Sequence, residues 1–302
     1  MSSADFTLIR EATVPRLRRL RGHGLTIVAG LVVLAILLLA VIGPSISPFD
    51  PTVADAEPFL PPPNLSAWPG LLWAALSGAG TPVHWFGTDA SGLDVFSRVI
   101  SAPRTDLSIA VLANGFALLI GVPAGLLAGY FRNWGTETLM RVSDVLQSFP
   151  VFISAMILVA LAGQSTVNIV AALAVLYSPI YVRLMRAEVM TQGARGMVEA
   201  SRALGSSEVA IAIRHVLPNS LGPTLVQSSV TIGFAILLTA GLSFVGAGVR
   251  PPTPEWGLMI SNGASGIMLG QWWPSVFPGI AISLTVFSFA ALGDVLERAY
   301  RS

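Results

Sequence analysis

Leu25 to Ile42 reads LTIVAGLVVLAILLLAVI, a run of apolar residues with no charge in it. A helix needs about 20 predominantly apolar residues to cross a hydrocarbon core roughly 30 Å thick, so this run reads as a membrane span. It follows Arg16, Arg18, Arg19 and Arg21 and stops at Pro44. A secretory signal has a shorter apolar region and a small-residue cleavage site, whereas this segment reads as a retained start-transfer anchor.

Working outward, Asp, Glu and Arg are also absent from Leu107 to Phe131, Val145 to Val182, Val216 to Val249 and Trp256 to Gly293. The first of these gaps holds one helix. The second is long enough for two, with Ala162, Gly163, Gln164 and Ser165 as the turn between them. The third supplies a span around Leu225 to Val245. The last begins with the Gly-rich stretch Ser261 to Gly270, which reads as a turn, and this leaves its single span after Pro274. Composition agrees: 53% hydrophobic and 11% charged residues over 302 positions leave too little polar surface to coat a globule of that size in water. Cysteine is absent, which excludes disulfides and thiolate metal sites. A formal net charge of +1 gives no reason to expect nucleic acid as a partner.

Arginine placement sets the orientation. With the N-terminus in the cytoplasm and six crossings, 14 of the 17 basic residues fall on the inner side, and all of them are arginine. Arg98, Arg104 and Arg250 are left outside, which is the positive-inside bias. The expected fold is therefore an all-α integral membrane protein of six transmembrane helices with cytoplasmic N- and C-termini. It divides into a tail at 1–24, a first helix at 25–43, an external loop at 44–104 that is Pro-rich and irregular, and a five-helix core at 105–302. A large cytoplasmic loop occupies 183–218.

That loop is the most informative part of the chain. Met185 to Asn219 reads MRAEVMTQGARGMVEASRALGSSEVAIAIRHVLPN. Ala194 to Leu204 predicts a short helix with Met197, Val198, Ser201 and Leu204 on one flank, and Arg195, Glu199 and Arg202 on others at i, i+4 and i+3 spacings. Gly205 stands where a C-terminal cap needs a left-handed residue. Taken alone, such a helix would lie on the membrane surface.

Glu199, Ala200, Gly205, Leu217 and Pro218 follow the EAA signature, and here the sequence resembles the permeases of binding-protein-dependent ATP-binding-cassette importers. Ser201 replaces the usual Ala, and His215 replaces the usual Ile. The run Arg214 to Asn219 is similar to the peptide/nickel branch, and the chain resembles its second permease subunit type. Leu242 to Gly248, followed by Pro251, Pro252, Thr253, Pro254, Glu255, Trp256 and Gly257, resembles that branch's segment after the fifth helix. Phe86, Gly87, Thr88 and Asp89 with Asp94, Ser97 and Arg98 resemble its segment before the second, and Gly293-Asp294 resembles its ending. Three positions depart: Leu93 stands for Arg, Ala102-Pro103 for Gly-Ala, and Ala290 for Asn.

The resemblance implies an importer permease fold in the bacterial or archaeal cytoplasmic membrane, multi-pass, moving peptides or similar small solutes; nickel or another solute is the alternative cargo. It implies that Arg195, Glu199, Ala200, Arg202, Gly205, His215, Leu217 and Pro218 form the coupling site for an ATPase. The implied partners are a second homologous permease, two ABC ATPase subunits, an external solute-binding protein and the lipid bilayer. ATP and Mg would belong to the ATPase subunits, with no cofactor on this chain.

Rival chemistries lack their residues. A P-loop requires Gly-x-x-x-x-Gly-Lys-Ser/Thr, and the chain has no lysine. The Gly-Ala-Ser-Gly run at Gly263 to Gly266 is similar to the serine motif of rhomboid proteases, but His23, His84 and His215 all precede Ser265, and none follows as a base would there. A flexible Gly-rich outer turn is the favoured reading of that run. His215 has no second ligand at metal spacing. Asp144 and Asp294 read as hydrated residues at span ends, so no intramembrane carboxylate is expected to mark an ion-coupled carrier, and no inverted repeat is seen.

Overall fold

The computed structural model describes residues 16–71, 83–131 and 133–301, and most of the tail at 1–24 lies outside them. Helix α1 spans Arg16–Ile46. Helix α2, Val95–Tyr130, is 36 residues long. A broken pair follows, α3 at Trp134–Gln147 and α4 at Val151–Ala162, bent by 91°. Helix α5 is Thr166–Gly193, α6 is Gly196–Ala203, and α7 is Glu208–Ile211. A π-turn at Ala212–Val216 runs into α8, Leu217–Phe244; α9 is Trp256–Ile267 and α10 is Trp273–Arg301. No strand occurs among the described residues, only an isolated bridge between Thr88 and Asp94.

Five of these segments are long and apolar enough to cross a membrane: Thr26–Ile46, α2, α5, Glu208–Phe244 and Trp273–Arg298. The α3–α4 pair makes a sixth when the two pieces count as one span. Large apolar side chains cover the outside of the bundle, among them Val41 at 73% exposure, Leu119 at 68% and Val167 at 75%. Surface of that extent belongs against lipid or another protein.

The interior is held by close approach and by interhelical hydrogen bonds. Gly121, Gly125 and Gly129 form a stripe on α2 against α5. A Cβ added to them would fall 2.5 Å from the Tyr181 Cβ, 2.6 Å from the Met185 Cβ and 2.8 Å from the Val189 Cβ. Small residues at such spacing let helix backbones pack where lipid supplies no hydrophobic drive between them. Tyr181 donates its hydroxyl to Asn114 Oδ1, and Asn114 Nδ2 donates to Ser228 Oγ at 2.6 Å, which joins α2, α5 and α8.

Four sequence expectations change. Helix α2 begins at Val95, twelve residues before the charge-free gap, because Asp94 caps it by accepting from the Ser97 N–H at 2.7 Å and because Arg98 and Asp106 are buried inside the protein. Charge ended the predicted span, yet a buried charge hydrogen-bonded to backbone groups need not end a helix. Helix α1 runs through Pro44 to Ile46. The stretch 183–193 belongs to α5, so the loop is shorter than read. Ser261 to Ile267 lies in α9 and is no turn; Gly263 is there for contact, since a Cβ on it would fall 2.5 Å from Ser275 Oγ of α10.

The glycine stripe yields a direct test. Gly125→Val should force α2 and α5 apart and cost about 3 kcal/mol, read as a lowered thermal midpoint in detergent. Gly115→Ala, on the same helix with nothing within 4 Å of the new carbon, should leave the midpoint unchanged or raise it. Equal effects of the two would remove the stripe as the source of α2–α5 packing.

Candidate functional site

Two clusters contain the residues that the sequence singled out, one at each end of the bundle. At the end where α2 and α5 finish, α6 sits between α5 and α7. Its N-cap residue, Arg195, makes no side-chain cap, but its C-terminus closes as a Schellman motif. The Ser206 N–H donates to Ser201 O at 3.1 Å and the Gly205 N–H to Arg202 O at 3.0 Å, with Gly205 at φ +82°. The expected left-handed glycine is present.

Only Val198 of α6 is buried, against a cluster that includes Met185, Val189, Ile211 and Val216. The predicted apolar flank is therefore narrower than its spacing implied. Met197 is 42% exposed and Leu204 87% exposed, because eight residues give barely two turns and the loop leaves nothing for the second turn to cover. Arg195, Glu199 and Ala200 are exposed as well. Arg202 behaves differently. Its guanidinium makes a bidentate pair with Glu208, Nε to Oε1 at 2.6 Å and a terminal nitrogen to Oε2 at 2.9 Å, and Tyr130 donates its hydroxyl to Oε2. The hydrogen bonds to Glu208 raise the hold of Arg202 on its proton above the usual guanidinium range. His215 lies in the π-turn, half-buried, and its carbonyl accepts from Asn219 Nδ2 at 2.7 Å. Leu217 is half-buried against the Val198 cluster, and Pro218 occupies the first turn of α8.

The opposite end gathers the second set. Gly87, at φ +72°, admits no side chain because a Cβ would fall 2.3 Å from Leu60 O. Asp89 Oδ1 accepts from the N–H groups of Ser91 at 2.8 Å and Leu93 at 3.0 Å. Asp94 caps α2 and takes His84 Nδ1 at 2.8 Å. Arg98 is buried and donates one terminal nitrogen to Pro51 O at 2.8 Å and to Pro252 O at 3.0 Å. Pro251 and Pro252 are exposed and Pro254 is half-buried, while Trp256 is buried with its indole N–H on Val99 O at 3.1 Å. A Cβ on Gly257 would lie 2.3 Å from Ala240 Cα. These residues pin the connection between α8 and α9 onto the start of α2.

Sequence reasoning missed two carboxyl groups here. Glu255 is fully buried and caps α9, its two oxygens taking the Gly257 N–H at 2.9 Å and the Leu258 N–H at 2.6 Å. Burial pushes its carboxyl above the usual range, while hydrogen bonds from Ser243, Leu258 and Gly257 pull it back. Asp106 of α2 is buried beside it and accepts from the Trp256 N–H at 3.3 Å. A carboxylate thus lies within a candidate span, contrary to expectation, because Asp106 fell just outside the charge-free gap. The available signal was an acid directly before Trp-Gly at the start of an apolar run, the pattern of an N-cap. Asp144 is exposed, as expected, and pairs with Arg183 at 2.9 Å. Ser265 lies exposed on α9, and His84 is engaged by Asp94. Among the described residues no cluster of three metal-ligating side chains occurs.

Residues 121–302 match the family described as binding-protein-dependent transport system inner membrane component, and residues 15–63 match the N-terminal transmembrane domain of oligopeptide transport permease C. The glutathione transport system permease protein GsiD of Pectobacterium atrosepticum is 34% identical over 93% of this chain and 88% of its own. The probable D,D-dipeptide transport system permease protein DdpC of Escherichia coli is 34% identical over 91% of this chain and 86% of its own. Among solved structures, an inward-facing MetNI methionine ABC transporter matches with a TM-score of 0.55 at 20% identity, over 67% of this chain and 96% of that one.

Removing the Glu255 cap should loosen the far end first. Glu255→Ala is expected to cost about 1 kcal/mol or somewhat more through the lost cap, and limited proteolysis should then cut between Arg250 and Trp256 faster than in the parent. Unchanged cleavage there would show that the cap does not hold the segment.

Proposed function

The chain belongs to the family of binding-protein-dependent inner-membrane transport components, and on that premise we propose that it lines half of the path by which an ATP-driven importer takes up peptides or similar small solutes. As a permease subunit of an ABC importer it is a multi-pass protein of the bacterial inner membrane. The peptide assignment draws on the glutathione and dipeptide relatives; nickel or another small solute is the alternative cargo. ATP and Mg act on two separate ATPase subunits, a second homologous permease completes the path, and an external binding protein delivers the solute. This chain supplies no hydrolytic site in that scheme.

The observation that carries the reading is the exposed face of α6. Arg195, Glu199 and Ala200 stand free on a helix whose C-terminus is fixed by a Schellman cap, and no bond from Glu199 to another described residue competes with a partner. In this scheme α6 seats in a groove of the ATPase, with Glu199 as its anchor and His215, Leu217 and Pro218 as the hinge into α8. Closure of the ATPase pair by ATP then shifts α6 and rocks the bundle between inward and outward access. The distribution of arginines supports cytoplasmic termini, an external loop before α2 and the α6 end inside. The division into tail, first helix, external loop and five-helix core follows from that orientation, with the coupling loop at 183–218 now beginning after Gly193, where α5 ends. The Gly87, Asp89, Asp94, Arg98 and Pro251 to Gly257 cluster becomes an external brace facing the binding protein.

Orientation is tested by reporters. One fused after Arg301 should report the cytoplasm and one inserted near Ser66 the outside; the same side for both would defeat the six-crossing arrangement.

Coupling is tested in cells that depend on this importer for labelled glutathione or D-alanyl-D-alanine. Glu199→Lys should break the joint by charge reversal, and Gly205→Val by a left-handed strain of about 1 kcal/mol or more. Both proteins should insert normally. Uptake should fall sharply while solute binding by the external protein persists, and the ATPase subunits should be lost on purification or turn over without transport. A helix resting on headgroups would tolerate the added lysine, so normal uptake in both variants is the result that sinks this reading.

A further inference from the structure

Resting on the assignment of α6 to the ATPase, we infer that Arg202, Glu208 and Tyr130 are positioning residues, forming a strut that makes α2 follow α6. The family resemblance placed Arg202 among the residues that meet the ATPase. The structure pairs it instead with Glu208.

Three helices meet at one carboxylate. Arg202 is in the last turn of α6, Glu208 is the first residue of α7, and Tyr130 is the last residue of α2. Glu208 takes the planar fork of Arg202 on both oxygens, at 2.6 and 2.9 Å, and the Tyr130 hydroxyl on Oε2. A bidentate guanidinium–carboxylate pair fixes direction as well as distance, which a single ammonium contact does not. Between the two charged residues the chain turns through the Gly205 Schellman motif, so α6 and α7 are closed into one rigid corner.

Apart from this polar trio, the corner meets α2 through one apolar cluster, in which Val198 and Ile211 lie with Leu126. A cavity of about 400 Å³ lies between α6 and the ends of α2 and α5, and Arg202, Glu208 and Tyr130 are part of its wall. Helix α6 buries one side chain, Val198, in the apolar cluster that holds Leu126 of α2, Met185 and Val189 of α5 and Ile211 of α7. The arrangement is a lever with an apolar pivot at Val198 and a polar strut across a void. Without the strut, α6 is free to swing about Val198 while α2 stays behind. Arg202 is 53% and Glu208 45% exposed, and a pair so exposed adds little to stability. Its contribution is to geometry.

The absence of cysteine from the chain makes the test clean, since introduced thiols are the only labelling sites on it. Spin labels go on Leu119→Cys of α2 and Leu204→Cys beside α6, both strongly exposed, in the complex with the partner permease and ATPase subunits. With the parent strut, addition of ATP and vanadate should leave a single narrow distance distribution, because the two labels move as one. Arg202→Ala, Glu208→Ala and the milder Tyr130→Phe should retain the ATPase subunits yet lose that narrow distribution when nucleotide is added. Arg202→Lys should behave like the alanine variant, and the exchanged pair Arg202→Glu with Glu208→Arg should restore the parent result. A distribution that stays narrow in all three single variants overturns the strut. Loss of the ATPase subunits from Arg202→Ala alone also overturns it, by making Arg202 a docking residue. Failure of the unmodified chain to hold the ATPase subunits would refute the assignment of α6 itself, and the strut with it.

Discussion

The close approach of α2 and α5 along Gly121, Gly125 and Gly129 is the constraint on which the remaining geometry depends. Lipid is as apolar as a leucine side chain, so burial alone gives two spans no reason to adhere; contact area at short range must do it. Three glycines at four-residue spacing on one helix meet side-chain stems and backbone on the other with no room for a methyl group. Once that register is set, Tyr181 comes opposite Asn114, and Asn114 reaches Ser228 on α8. The same register sets where α2 ends, and therefore where Tyr130 stands relative to α7.

The two ends of the bundle are built on different principles. Where α8 passes into α9, Arg98, Asp106, Glu255 and Trp256 are all buried, and their hydrogen bonds run mostly to backbone groups of neighbouring segments. A polar group buried in that way costs free energy whenever its partner moves off, so the end resists deformation. At the α6 end, α6 itself contributes one buried valine to a small apolar cluster, beside an exposed ionic group. Few buried contacts and many exposed ones are the marks of a segment that shifts readily. In the proposed scheme the first end is a frame that keeps its shape and the second a handle for the ATPase to move.

Much of this was legible in the sequence, and the failures share a cause. Charge-free gaps located the spans because an unpaired charge is costly in hydrocarbon, and Gly205 announced its cap because a left-handed backbone leaves few residue choices. Distance along the chain, however, does not reveal a partner. Arg98 looked like a loop residue, and Asp106 drew no notice, until the Pro51 and Pro252 carbonyls and the Trp256 N–H supplied their bonds from far away. Glycines were read as turn formers at Gly263, where the facing helix α10 makes them contact points. Arg202 was assigned to the coupling set through the resemblance, but its partner stands six residues beyond it, across a turn whose path the spacing could not give.

The right-angle break between α3 and α4 bears on how the chain enters the membrane. Helix α4 has 12 residues, almost all apolar, and at 1.5 Å per residue it extends about 18 Å, far short of a hydrocarbon core of roughly 30 Å. Inserted by itself it would leave one end's backbone groups inside lipid without partners. Its C-terminal turn is closed onto α5 by Asn168 Nδ2, which donates to Ala162 O at 2.8 Å, while Ser165 caps α5 by accepting from the Asn168 N–H at 3.1 Å. The free end of α4 is thus satisfied by α5 and not by its own continuation, so the broken pair is complete as a crossing only with α5 beside it.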